Sequence, residues 1–238
     1  MMEKKVLRVH RTRKEAKELY DKISGFYDLI SSFFEDKFKK IALGKMRFRK
    51  GEMILEVGSG TGGCLVEIAK QIGEEGEAYG IDISRGMLKK AREKLRKEEC
   101  LDRVELCCGD AIYLPYKNDV FDAAFMSFTL ELFDTPEIPK VLEEIKRVLK
   151  PEGRIGVVSL SKENGENLIL RLYEWAHKKW PKYIDCRPIY VEESMKNSGY
   201  EVKCKEKMKM LGLPVEIVIG VNRKIEPNLK ISFSSLED

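Results

Sequence analysis

Apolar positions recur along the chain with two different periods. Over residues 14–45 they fall at Leu19, Ile23, Phe26, Tyr27, Ile30, Phe34, Phe38 and Ile41, in steps of three and four. That spacing predicts an aromatic-rich helical preface, broken near Ser24-Gly25 or Ser31-Ser32. From Met53 onward, short apolar runs alternate with helical stripes. Strands are expected at 53–57, 78–81, 104–108, 121–127 and 155–160. Helices are expected at 64–72, from Ser84 (a natural N-cap) to about 97, over the stripe Ile138–Leu149, over 165–179 and over 191–197. Pro151-Glu152-Gly153 reads as a turn before the fifth strand. Two short strands close the pattern, 202–204 and 215–221, with a loop containing Gly212 and Pro214 between them.

Alternation of strands and helices calls for a doubly wound, mostly parallel sheet with helices on both faces. The last two strands, with no helix between them, predict an antiparallel hairpin at one edge. Three regions follow: an N-terminal helical cap at 1–45, an α/β domain at 46–222 and a polar extension at 223–238. Ligands of such sheets bind beyond the carboxyl ends of the strands, so the loops beginning at Gly58, Asp82, Gly109 and Ser127 hold the candidate site.

Composition narrows the setting. The 238 residues carry 44 Lys and Arg against 40 Asp and Glu, a net charge of +4, which gives no general field for nucleic acid. The basic run Lys4, Lys5, Arg8, His10, Arg11, Arg13 and Lys14 reads as a solvated face, or else as a contact for an anionic substrate or lipid surface. Six cysteines without a CxxC pair, and no apolar signal region, point to reduced thiols in a cytoplasmic protein. No apolar run approaches membrane-spanning length, so stable membrane insertion is not expected.

The sharpest local feature is Glu56-Val57-Gly58-Ser59-Gly60-Thr61-Gly62-Gly63 at a strand-to-helix turn. Glycines there allow close backbone approach to a ligand, with helix N–H groups facing it. The same glycines satisfy a dinucleotide pattern, and Asp82 at the end of the second strand suits a ribose in either case. Glu56 tilts the balance, because an anion inside the strand does nothing for a pyrophosphate but suits a cationic amino group. Gly109-Asp110-Ala111 adds an acceptor after the third strand, where an adenine amine can donate.

Together these residues resemble the class I S-adenosylmethionine-dependent methyltransferases over residues 50–160, which implies a Rossmann-like fold. The resemblance implies cofactor contacts from Glu56, Gly58, Ser59, Gly60, Gly62, Asp82, Ile83, Met87, Asp110, Ala111 and Ser127. Tyr20–Leu29 and Asp82–Leu88 are similar to the ubiquinone/menaquinone-biosynthesis methyltransferase group. Methyl transfer to a small, apolar or quinone-like acceptor by in-line displacement is the expected activity, with no metal. The catalytic group is unassigned; His177 and Tyr27 are the candidates. An NAD(P)-dependent oxidoreductase is the rival reading, but it gives Glu56 no role, and its Tyr113-x-x-x-Lys117 pair is interrupted by Pro115. A cofactor- or partner-binding module without catalysis is the other. Ser127-Phe128-Thr129-Leu130 stands where amino-methylating nucleic-acid enzymes carry Asn-Pro-Pro-Tyr, which argues against that substrate class.

Overall fold

A computed structural model describes residues 6–9, 11–25, 27–163, 168–179 and 186–223, with the side chains of 27–33 excepted. Residues 224–238 of the expected C-terminal extension at 223–238, and the start of the 165–179 helix, lie outside the described residues. Two helices, α1 (Arg13–Ile23) and α2 (Tyr27–Met46), precede β1 (Met53–Val57) and α3 (Gly63–Ile72). The chain continues through β2 (Glu77–Asp82), α4 (Arg85–Lys97), β3 (Val104–Cys108), β4 (Phe121–Ser127) and α5 (Ile138–Val148). It ends with β5 (Leu149–Leu160), α6 (Leu168–Lys179), α7 (Val191–Asn197), β6 (Tyr200–Met210) and β7 (Leu213–Asn222).

The strands form one sheet in the order β3-β2-β1-β4-β5-β7-β6. β1 to β5 pair in parallel, and β7 runs antiparallel between β5 and β6. Strand order reverses between β1 and β4, which opens a crevice at their carboxyl ends.

Side chains of β1 alternate between two cores. Leu55 and Val57 join the layer under α5, where Ile138, Val141, Leu142, Ile145 and Val148 are all buried. At about 1.5–3 kcal/mol for each large apolar side chain removed from water, that stripe anchors the helix. Ile54 faces the opposite layer, which contains α3 and the second half of α2 through Phe38, Ala42, Leu43 and Met46. Glu56 has the same parity as Ile54, so the strand's own geometry turns this carboxyl toward α2 and α3.

Two stretches differ from the sequence reading. β5 begins at Leu149, and Pro151-Glu152-Gly153 is a bulge within it: Phe121 pairs with Leu149, while Ala123 pairs with Arg154. The hairpin is also much longer than expected. β6 continues to Met210 and meets β7 through the two-residue turn Leu211-Gly212. Lys203, Lys205, Lys207 and Lys209 obscured it, because lysine is depleted in strands. A period of two is nevertheless kept on each side of the bulge between Val202 and Cys204: Tyr200 and Val202 face the α5 layer, and Cys204, Met208 and Met210 face the layer of α2 and α3.

Candidate active site

The turn after β1 is tied to its neighbour by the N–H groups of Gly58 and Ser59, which donate to the Ile81 carbonyl at 2.8 and 3.1 Å. Gly58 has a φ of +73°, and a Cβ placed there would lie 2.3 Å from Thr129 Oγ1. Glycine is therefore required both by the backbone conformation and by the side chain packed across it. Thr129 is itself fixed, its hydroxyl donating to the Ser127 carbonyl at 3.0 Å.

Asp82 latches this turn to the next one. Its Oδ2 accepts from Gly60 N–H at 2.8 Å and its Oδ1 from Ser84 N–H at 2.8 Å. Burial pushes its carboxyl up, against the pull of these amides, and the nearby Asp21 carboxylate adds to the rise. Each carboxylate oxygen keeps a further lone pair for a ligand hydroxyl. Asp21 in α1 accepts from Ser84 Oγ at 2.6 Å and Gly86 N–H at 2.8 Å, so the N-terminal helix is pinned across the start of α4.

Two cavities meet over Gly58, Gly60 and Ser127. The first encloses about 780 Å³, part of it open to solvent. Ile81, Ile83, Met87, Ala111, Phe128 and Phe133 make it largely apolar, and Asp82 and Asp110 stand on its wall. Arg13, Ala16 and Tyr20 of α1 close one side. The second cavity spans about 1160 Å³, part of it open to solvent, and is charged, with Lys39, Lys40, Glu56, Glu67 and Lys94 around it.

The junction holds a set of unsatisfied groups. Glu56 Oε2, Ser59 Oγ and Ser127 Oγ are buried without a hydrogen-bond partner, and all three residues line the second cavity. Burial drives the Glu56 carboxyl up to about 8, against the attraction of Lys39. Lys39 lies 2.8 Å from Glu35. Burial opposes its charge, but the Glu35 carboxylate outweighs that, and the Lys39 ammonium titrates above its ordinary value.

Every residue expected to touch the cofactor lines one of these cavities except Gly62, the N-cap of α3, whose φ of +80° turns the chain into the helix. Asp110 is more committed than the sequence suggested. Its Oδ1 accepts from Ile112 N–H at 3.1 Å, and Arg13 Nε lies 2.7 Å from Oδ2. Arg13 also pairs with Glu137 at 2.9 Å, and Arg8 grips Asp134, so part of the basic N-terminal run is spent on ion pairs within the chain. His177 is buried on the inner side of α6 and lines neither cavity. The side chain of Tyr27 lies outside the described residues.

Several residues of the site were missed. Lys39 sits among Phe38, Ala42 and Leu43 on the buried stripe of α2, and a charge on such a stripe was the available signal. Thr129 and Arg13 carried none, since their partners are remote in sequence. Glu131 and Arg187 are fully buried beyond β4. Glu131 Oε1 accepts from Leu160 N–H at 3.2 Å, and burial raises its carboxyl to about 8. Arg187 donates to the Phe133 carbonyl, and burial lowers its guanidinium to about 10. Neither lines the two cavities.

The model of the ubiE/COQ5 methyltransferase family matches residues 1–188. The chain belongs to that family. It is an S-adenosylmethionine-dependent methyltransferase, and the nicotinamide alternative is set aside. A demethylmenaquinone methyltransferase of Lactobacillus johnsonii is 32% identical over 175 residues, 71% of this chain and 70% of the relative. One from Listeria welshimeri is 36% identical over 164 residues, covering 69% and 67%. Among solved structures, an Aquifex aeolicus S-adenosylmethionine-dependent methyltransferase superposes with a TM-score of 0.59 at 23% identity, covering 89% of this chain and 98% of that one. The cyclase SpnF gives 0.71 at 19%, covering 90% and 97%. At such identities the likeness speaks for the Rossmann-like fold alone, which the ubiE/COQ5 member shares.

Proposed function

We propose that the joined cavities hold S-adenosylmethionine, with the adenosine in the apolar cavity and the methionine end in the charged one. The observation that carries this reading is the convergence of Glu56 Oε2, Ser59 Oγ and Ser127 Oγ, all unpartnered, on the charged side of a turn where Gly58 admits no side chain. A buried polar atom left unmatched costs about 1–3 kcal/mol, which a ligand donor offsets. A zwitterionic amino-acid end supplies such donors, and Lys39 and Lys94 stand on the same wall for its carboxylate. Ile83, Met87 and Ala111 offer apolar surface to an adenine, while Asp82 faces the ribose. When bound, S-adenosylmethionine supplies a methyl group on an electron-poor sulfur.

The protein's part is to align that group with an acceptor and to keep water out; alignment alone is worth on the order of 7–11 kcal/mol. The acceptor we assign is a small, quinone-like ring, as in the relatives named demethylmenaquinone methyltransferases. Tyr20, Phe128 and Phe133 on the cavity wall suit a flat apolar molecule. A cytoplasmic setting fits six cysteines that form no disulfide with one another.

Titration calorimetry with S-adenosylmethionine and with NADPH, followed by turnover on a panel of hydroquinones and polar acceptors, tests the reading. Binding of NADPH alone, or turnover restricted to polar polymers, overturns it. Asp82→Ala is expected to weaken S-adenosylmethionine binding by about 1.5–3 kcal/mol, because charged hydrogen bonds to the ribose are lost and the Gly60 amide is freed. Calorimetry on the folded variant reads this directly; unchanged affinity removes Asp82 from the site.

A further inference from the structure

Helix α6 is apolar on two sides. Leu170, Tyr173 and His177 face the protein, whereas Leu168, Ile169, Leu172 and Trp175 are exposed at 81%, 48%, 62% and 50%. An ordinary surface helix buries its one apolar stripe and presents polar residues outward. The patch extends beyond the helix. A Cβ at Gly212 would lie 2.5 Å from Ile169, so the β6–β7 turn rests against α6, and Leu211 at its tip is exposed at 75%. Leu211 has a φ of +49°, a conformation that favours Asn or Gly in two-residue turns. A strained leucine that packs so little of its surface against its own chain calls for a contact outside it.

We infer that α6 and the Leu211-Gly212 turn form a docking face for the surface of an anionic lipid bilayer. Charge selects this occupant. The exposed charged residues of α6 are Arg171, Lys178 and Lys179, all cationic, while the helix's acid, Glu174, is drawn to Lys162 at 2.7 Å. Lys179 lies over the Trp175 ring at 5.1 Å, and the exposed Lys209 stands beside the turn. Apolar side chains bordered by cations, with a tryptophan among them, match an interfacial helix lying in the headgroup layer. A second copy of this chain fits less well, because a two-fold contact would set these cations against themselves. Orientation also agrees. Leu160 pairs with Val215, so the turn lies at the carboxyl ends of the parallel strands, the end at which the cavities open. No helix among the described residues is long and apolar enough to cross a membrane, which leaves surface contact. This deepens the apolar-acceptor reading, since such an acceptor resides in a bilayer.

Co-sedimentation of the full chain with phosphatidylglycerol–phosphatidylcholine vesicles and with phosphatidylcholine vesicles tests the face. Binding is expected to be about tenfold or more stronger to the anionic vesicles at low salt. It should be lost in L172E/W175E and sharply reduced in R171E/K178E/K179E. S-adenosylmethionine affinity and turnover of a short-tailed hydroquinone in solution should stay unchanged in both variants. Absent or charge-independent vesicle binding overturns the inference, as does a concentration-dependent dimer abolished by L172E/W175E. Failure of the functional reading shows separately, as vesicle binding intact in a chain that does not methylate the short-tailed hydroquinone.

Discussion

Gly58→Ala is expected to lower kcat/KM for S-adenosylmethionine by about a hundredfold, roughly 3 kcal/mol, while the fold survives. Two costs add. A non-glycine residue at a φ of +73° is strained by about 1–3 kcal/mol. The new methyl would also sit 2.3 Å from Thr129 Oγ1 and 2.4 Å from its Cγ2, an overlap of the kind that costs about 1–3 kcal/mol. The chain relieves this by moving the turn, which shifts the amide of Gly60 away from Asp82. Thermal melting, calorimetry and steady-state rates separate the outcomes. Adding Thr129→Ala removes the two closest contacts and leaves the backbone strain, so the double variant should recover part of the loss. Full activity in Gly58→Ala shows that the turn does not approach the cofactor.

The second large effect is one of pH. Affinity for S-adenosylmethionine should rise by up to tenfold per pH unit from about 6 to 8 and level off above. Glu56 is held protonated up to about 8 by burial, and a cationic ammonium beside it binds the ionised form. Binding therefore releases a proton below that point. For the ligand-free protein the sign is opposite: a carboxyl raised from 4.5 to about 8 contributes stability that is full below 4.5 and lost as pH climbs through 8. Calorimetry in buffers of different ionisation enthalpy counts the proton. In Glu56→Gln the slope should vanish and the high-pH affinity should fall. Glu131 rises to a similar value for the same reason, so Glu131→Gln serves as the control: it should flatten the stability profile and leave the binding slope intact. A binding slope that persists in Glu56→Gln removes this carboxyl from the ammonium site.

Both predictions rest on residues that the sequence displays openly. Glycines in a strand-to-helix turn and a carboxylate inside an otherwise apolar strand are local signals, because the physics that demands them is local. The parallel sheet was legible for the same reason, through apolar runs four to seven residues long between helical stripes. Contacts between distant segments left no such mark. Arg13 against Asp110 and Thr129 over Gly58 arise only once the sheet brings its strand ends together. Lys39 is intermediate, since its place on a buried stripe was visible but its neighbour Glu56 was not. The β6 hairpin escaped because composition and period disagreed there, and the period was the better guide.

That hairpin has a consequence for the life of the protein in a crowded solution. β6 is an edge strand of eleven residues, and among the described residues one side of its backbone has no neighbouring strand. An edge of that length is a template for another chain, and nucleates fibres when it is flat and uncharged. Lys203, Lys205, Lys207 and Lys209 load that edge with charged side chains, three of them held in ion pairs with Glu163, Glu192, Glu201 and Glu216, and the irregular register between Val202 and Cys204 bends the template. The lysines that hide the strand from a reader of the sequence are thus the ones that hide it from other polypeptides.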